Sequence, residues 1–348
     1  MTVAVDLVEL TKVYKDASEA SVDGITMSIP KGQLMALLGP SGCGKTTTMK
    51  MLAGLLEPTA GDVHFDGRSV VDIPAEKRNV AMVFQKPLLF PHMSIGDNVA
   101  FGLRMRGVDR RTRQRRVGEM MELVRLPGME RRRPGQLSGG QEQRISLARA
   151  LIIEPDILLL DEPLSQLDAN LRIEMRDLIR QIQAELGITS VFVTHDQEEA
   201  VMLADRIALM LAGRIQQDGL PQEFYEQPAS QAVARFFGTQ NFVPGSVKGQ
   251  AFESALGTFP LAHDHPEGDG LLVIRQEAIE VDDSGRGVEA TVDRAMYLGT
   301  HVRVWVRAGG VGLQFTATPG FHYDSGAAIR LRLPTDRMWV VPVEDSVP

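Results

Sequence analysis

Hydrophobic and polar positions follow two different patterns along this chain, and the change between them falls near Gln240. In the first stretch, short unbroken apolar runs stand between longer helix-forming segments. Leu34-Met35-Ala36-Leu37-Leu38, Val80-Ala81-Met82-Val83-Phe84, Ile157-Leu158-Leu159-Leu160 and Val191-Phe192-Val193-Thr194 each read as a buried strand. A helix is predicted from Thr46 to Leu56, after the first run and the glycine-rich turn that follows it. In the second stretch the period drops to two. Val302, Val304 and Val306 alternate with His301, Arg303, Trp305 and Arg307, and Ile329, Leu331 and Leu333 alternate with Ala328, Arg330 and Arg332. Turn clusters at Asp282-Asp283-Ser284-Gly285, Gly309-Gly310 and Pro319-Gly320 separate these strands. The pattern predicts an α/β domain followed by a small all-β barrel or sandwich.

Composition narrows the class. At 348 residues and 43% hydrophobic content the chain can build two domains, and a 24% charged fraction argues against disorder. The apolar runs are strand-length, short of the roughly twenty residues that cross a bilayer, and MTVAVDLVEL lacks a charged-then-apolar leader pattern. A cytoplasmic chain is the expectation. A net charge of -8 gives no reason to expect nucleic-acid binding. One stretch breaks the acidic balance: Arg104 to Arg133 holds Arg110-Arg111, Arg113, Arg115-Arg116 and Arg131-Arg132-Arg133. Met120, Met121, Leu123 and Val124 interleave with the first cluster, so it reads as an amphipathic helix with a basic face, solvated rather than laid on lipid headgroups.

Three motifs carry chemistry. GPSGCGKT, Gly39 to Thr46, fits the phosphate loop G-x-x-x-x-G-K-[ST] and lies between a strand and a helix, the context such a loop needs. Gly39, Gly42 and Gly44 allow backbone amides to turn onto phosphate oxygens at a helix N-terminus. Lys45 is placed to reach the β- and γ-phosphates and the Thr46 hydroxyl to ligate magnesium. DILLLDEP ends a strand in two carboxylates: Asp161 suits the magnesium shell, and Glu162 suits orienting and deprotonating an attacking water. Standing alone, that pair could equally be an acidic turn before Pro163. Leu137-Ser138-Gly139-Gly140-Gln141 offers glycine amides at a second helix start, a second anion site in one chain. An ordinary Ser/Gly cap explains Ser138 but not the two glycines with Gln141. Cys43, the single cysteine, lies beside Lys45, where amides and a cation are expected to lower its pKa and make it an alkylation site that bound ATP protects.

In this order, and with EQRISLARAL following LSGGQ, the motifs resemble the ATP-binding subunit of an ABC importer of the maltose, polyamine, ferric-iron and sulfate group. The resemblance implies a P-loop NTPase ABC cassette over residues 1–238, with a helical subdomain at about 90–150, and an accessory β-domain of oligonucleotide/oligosaccharide-fold type over 239–348. NFVPG at Asn241–Gly245 and IRQEAIEV at Ile274–Val281 carry the latter likeness, with Gln276 where the family often has Pro. It implies ATP and Mg2+, bound by Gly39, Pro40, Ser41, Gly42, Cys43, Gly44, Lys45, Thr46 and Thr47, with Tyr14 stacked on adenine. Thr46, Gln85 and Asp161 are the implied magnesium set. Glu162, His195 and Gln85 are the implied catalytic set, His195 sensing the γ-phosphate. Ser138, Gly139, Gly140 and Gln141 are expected to cap the nucleotide of a second, head-to-tail copy, and Asp168 to link the two sites. Gln166 and Glu142 depart from common family residues without removing a phosphate contact. Two transmembrane permease subunits, docking near Phe90-Pro91-His92-Met93 and Gly96 to Gly102, and indirectly an extracytoplasmic solute-binding protein, are the implied partners, which places the chain on the cytoplasmic face of the membrane. FPH at Phe90–His92 favours polyamine or ferric iron over sugar as cargo. A soluble ABC ATPase acting on DNA or ribosomes, or an ATP-sensing module, are the other readings; the single copy of each motif and the presence of Glu162 with His195 weigh against them.

Overall fold

The computed structural model describes residues 2–15, 17–282, 284–285 and 287–343, in two compact units, Met1–Pro221 and Gln222–Pro348. This division falls ahead of residue 238, because the short helices Glu223–Glu226 and Gln231–Phe236 belong to the second unit. Arg275 of that unit donates to the carbonyls of Phe224, Tyr225 and Phe237 and stacks 3.9 Å from the Tyr225 ring centroid.

A six-stranded sheet forms the centre of the first unit, in the order Arg214–Gly219, Arg206–Leu211, Leu34–Leu38, Thr189–Thr194, Ile157–Asp161, Val80–Val83. All pairings are parallel except the one between the first two strands. Unbroken apolar runs are what such strands require, since both faces are covered. Every side chain of Leu34–Leu38 is buried, as are all of Thr189–Thr194 and Ile157 to Leu160. Full burial contributes about 1.5–3 kcal/mol for each large apolar side chain such as Phe192. The register opposes Leu38 to Thr194 and Asp161 to Val193, so the residues following three strands emerge along one sheet edge. A four-stranded antiparallel sheet, Val22–Ile29, Val5–Lys12, Ala60–Phe65 and Arg68–Ser69 in that order, shares an apolar core with it.

The phosphate-loop helix runs Lys45–Leu52, four residues short of the expected end. Gly54 takes the left-handed conformation (φ 73°), and the buried Arg78 guanidinium donates to the Met51 and Leu52 carbonyls, closing the helix there. Between residues 90 and 151 lie the helices Ile95–Met105, Arg110–Leu123 and Gly139–Leu151, begun by Ser94, Asp109 and Ser138 caps. On the arginine-rich helix only Val117 and Met121 are buried, while Met120 and Leu123 are half-buried. No helix of the described residues is long and apolar enough to cross a membrane.

The second unit holds two five-stranded antiparallel sheets around one core, to which Val243, Phe252, Leu272, Val304, Phe315 and Leu331 contribute. The strand Val302–Ala308 buries Val302, Val304 and Val306, as its alternation predicts. The fully buried Asn241 amide donates to the Ile274 and Gln314 carbonyls and accepts from Gln314 N, joining the two sheets. Of the expected turn at residues 282–285, Asp283 lies outside the described residues; Asp282 accepts from Ser284 and Gly287 N–H groups.

Candidate functional site

The loop after Leu38 exposes Pro40, Ser41 and Gly42 and buries Cys43 and Lys45. Lys45 Nζ donates to the Gly39 and Pro40 carbonyls, each at 2.7 Å, which curls the loop around its ammonium, and among the described residues no carboxylate pairs with that charge. A cation so placed suits an anionic ligand, and the helix Lys45–Leu52 adds its N-terminal partial charge. Thr47 is half-buried behind the loop, with its hydroxyl 3.3 Å from Tyr14 Oη. Tyr14 is 42% exposed beside the loop, with the Lys12 ammonium 5.8 Å from its ring centroid.

Cys43 corrects the sequence expectation. Its thiol is buried, and burial pushes its pKa up, outweighing the opposing pull of Lys45, whose Nζ lies 3.8 Å from Sγ. The cation is spent on carbonyls, so desolvation of the thiolate wins.

Thr46 Oγ1 donates to Asp161 Oδ1 at 3.2 Å. Burial raises the Asp161 pKa, with Glu162 adding to the rise against the opposing Thr46 hydrogen bond, Lys50 and Lys45. A divalent cation would relieve that cost. The Thr46 hydroxyl and the Asp161 carboxylate are hard oxygen donors of the kind magnesium takes, and magnesium needs few protein ligands when phosphates supply the rest; the Gln85 amide nitrogen is turned to Glu162 and Ser165. Among the described residues no cluster of three His, Cys, Asp or Glu side chains forms a self-sufficient metal cage.

Next along the chain, Glu162 holds a left-handed backbone (φ 44°), which costs a residue with a Cβ about 1–3 kcal/mol. Its carboxylate is held from two sides: Gln85 Nε2 lies 3.3 Å from Oε2 and His195 Nδ1 lies 3.2 Å from Oε1. Gln85 follows the strand Val80–Val83 and His195 follows Thr189–Thr194, so the parallel register makes this meeting. The imidazole is exposed and the carboxylate mostly covered. The arrangement can hold a water against a carboxylate next to the Thr46–Asp161 pair and the phosphate loop.

Sequence reading missed Ser165, whose hydroxyl donates to the Glu162 carbonyl at 2.9 Å and accepts from Gln85 Nε2 at 3.1 Å. It also missed Arg149, which grips the Pro87 and Leu88 carbonyls just past Gln85 and lies 5.6 Å from the Phe90 ring centroid. A helical arginine in ARAL carries no signal of such a distant bond.

Ser138 and Gln141 close a capping box, with Gln141 Oε1 accepting from Ser138 N at 3.0 Å and Ser138 Oγ from Gln141 N at 3.4 Å. The Gly139 position is open, whereas a methyl at Gly140 would meet the Leu171 side chain at 3.3 Å. Leu171 lies on the helix Ala169–Leu186, whose cap is Asp168, accepting from Leu171 N at 3.0 Å. Gly140 thus packs against the first turn of the helix that Asp168 caps; Asp168 and Ser138 each serve an ordinary capping role, and so, against the sequence expectation, does Gln141.

Comparison with known proteins gives the family. The family described as "ABC transporter" matches residues 22–165, and the "TOBE domain" family matches residues 272–341. The Fe(3+) ions import ATP-binding protein FbpC of Escherichia coli O157:H7 is 44% identical over 318 residues, 90% of this chain and 91% of that protein. The spermidine/putrescine import ATP-binding protein PotA of Acidothermus cellulolyticus is 41% identical over 357 residues, 97% of this chain and 92% of that protein. Among solved structures, the ATP-binding cassette MJ0796, a dimer in a post-hydrolysis state with ADP and Pi, superposes with a TM-score of 0.56 at 30% identity, covering 62% of this chain and 98% of its own. Motifs, sheet order and these relatives agree: the chain belongs to the ABC transporter family, among its import ATP-binding proteins.

Proposed function

We propose that this protein is the ATP-hydrolysing subunit of a membrane importer, in which Glu162 activates the attacking water and two copies of the chain share each nucleotide. The observation that carries the reading is the Glu162 carboxylate held between His195 and Gln85, on the sheet edge that also presents the phosphate loop and the Thr46–Asp161 pair.

In this reading Lys45 and the loop amides from Gly39 to Thr47 bind the phosphate chain, and Tyr14 supports the adenine. Thr46, Asp161 and Gln85 would hold magnesium, which when bound supplies charge neutralisation at the β- and γ-phosphate oxygens. Glu162 takes the proton from water at a carboxylate oxygen, while His195 and Gln85 fix the direction of that carboxylate. Chemistry of this kind depends mainly on placement, so a residue held in a strained backbone conformation to aim its side chain is consistent with it.

The half of the site that one chain does not supply is assigned to Ser138, Gly139 and Gly140 of a second, head-to-tail copy, with Asp168 at the junction. ATP can close such a dimer only to the extent that it binds the closed form more tightly, and contacts from both copies to one γ-phosphate supply that difference. Permease subunits at the membrane, reached by the surface around Phe90–His92 and Gly96–Gly102, would receive the motion on its cytoplasmic face. The relatives' names make ferric iron or a polyamine the cargo classes, handed over by an extracytoplasmic binding protein.

Glu162→Gln tests the assignment. It keeps the contacts to His195 and Gln85 in shape but removes the base, so ATP turnover should fall by about 10²-fold or more while the protein still binds ATP and collects as a dimer. Wild-type turnover by this variant would refute the role.

A further inference from the structure

Next to the Glu162–His195 pair lies a set of side chains that no part of the reaction described above uses. Thr194 immediately precedes His195; its hydroxyl donates to Glu199 Oε2 at 2.6 Å and accepts from Asp196 N–H at 3.0 Å. Glu199 belongs to the helix Gln197–Leu203 and is buried, unusual for a carboxylate, and burial raises its pKa against the opposing Thr194 hydrogen bond. Its second oxygen, Oε1, faces Arg172 Nε at 3.9 Å.

Arg172 sits one turn into the helix that Asp168 begins. Its backbone N–H bonds the Asp168 carbonyl at 2.9 Å, and its Nη2 donates to the Leu167 carbonyl at 3.2 Å, so it moves with that turn. Its Nε is buried without a hydrogen-bond partner, one of few such atoms among the described residues. A pair of opposite charges whose N–H stops about 1 Å beyond bonding distance is a contact that a small displacement would make. A cavity of about 60 Å³ is lined by Arg172 and Glu199 as well as by Glu162, Ser165 and His195, so the pair adjoins the reacting groups directly.

We propose that Arg172 and Glu199 are positioning residues whose pairing ties the Leu167–Asp168 turn to the Thr194–His195 strand end, so that displacement of Asp168 sets the direction of the His195 imidazole. Neither side chain is assigned to nucleotide or metal. The proposal rests on the role given above to Glu162 and His195, and adds to it a path by which the turn at the proposed dimer junction reaches the water-activating carboxylate. A Glu199 that served only Thr194 would leave Arg172 a bystander, and removing its charge would leave kcat unchanged.

The test uses the full-length chain with Glu199→Gln, Arg172→Gln and the double variant, measuring steady-state ATPase, its ATP concentration dependence and thermal unfolding. Glu199→Gln retains an amide oxygen for the Thr194 hydroxyl and loses only the charge facing Arg172. The expected result is a kcat lowered at least about 10-fold in each single variant, within the range that a misplacement near 1 Å causes, with KM for ATP changed little. The double variant should lose no more than Arg172→Gln alone, which also gives up the bond to the Leu167 carbonyl, because the Arg172–Glu199 pairing is already absent in either single variant. Losses that multiply in the double variant, or a kcat in Glu199→Gln within twofold of wild type, overturn the proposal. Glu162→Gln is assayed alongside: if it is inactive while the positioning variants are normal, only this inference fails. If Glu162→Gln turns over ATP like wild type, the underlying reading falls and the inference with it.

Discussion

Two glycines of the phosphate loop make opposite demands, and replacing each by alanine separates fold from conformational strain. At Gly44 (φ 105°) an added Cβ would lie 2.2 Å from the Ser21 carbonyl oxygen and 2.6 Å from Met210 Cε. The carbonyl is main chain, in a segment held by the Ser21 N–H bond to the Lys12 carbonyl, so it cannot yield as a side-chain tip would. Relief requires the loop to withdraw by about 1 Å, an overpacking cost of about 1–3 kcal/mol, on top of about 1–2 kcal/mol for the backbone conformation. At Gly42 (φ 83°) the Cβ meets nothing within 4 Å, leaving only the conformational cost. For a unit of this size each kcal/mol shifts Tm by about 2–4 °C, so Gly44→Ala should lower the first unit's Tm by about 4–20 °C and Gly42→Ala by about 2–8 °C, with Gly44→Ala the larger loss. Gly44 also caps the helix Lys45–Leu52, so the displaced loop should bind ATP more weakly. Circular-dichroism melting of the nucleotide-free protein and titration with a fluorescent ATP analogue read both effects. Equal melting losses at the two positions would refute the steric reasoning.

Asp161→Asn should raise the Tm of the nucleotide-free, magnesium-free protein near neutral pH and abolish magnesium-dependent hydrolysis. The sign follows from linkage: a carboxyl whose native pKa is raised contributes stability below its ordinary pKa and loses it as pH rises through the native value, a penalty that Asn escapes. Stability measured from about pH 4 upward should therefore fall less steeply in the variant; a lower Tm at neutral pH would contradict this. Cys43 should alkylate far more slowly than a free thiol at pH 8, because its pKa is raised and its side chain is covered, and Cys43→Ala should keep ATPase activity. Rapid stoichiometric labelling of the folded protein, followed by mass spectrometry, would show the burial argument to be wrong.

Much of the scaffold was legible because its signals are local. The strand Leu34–Leu38 matches its apolar run residue for residue, and Val302, Val304 and Val306 face the core as period two requires. What sequence missed depended on partners far along the chain. The phosphate-loop helix ends early because Arg78, 26 residues beyond Leu52, caps its carbonyls. The reactivity expected of Cys43 took account of Lys45 but not of the burial that outweighs it. The backbone strain at Glu162 and the support from Ser165 arise from the close meeting of strand ends, which motif spacing does not encode. The motif residues themselves do come together in space: Thr46 meets Asp161, and Gln85 and His195 meet Glu162, contacts that spacing alone did not specify.

Whether each ATP is shared between two copies is settled most directly by where two lesions are placed in a tagged mixed dimer. Ser138→Arg and Glu162→Gln are put either into the same copy or into opposite copies, and ATPase rates of the two purified dimers are compared. If the phosphate loop of one copy works with Ser138 of the other, opposite placement spoils one pocket twice and leaves the second whole, whereas same-copy placement spoils both. The account predicts residual hydrolysis only in the opposite-copy dimer; hydrolysis retained only in the same-copy dimer would show that each chain builds its pocket alone.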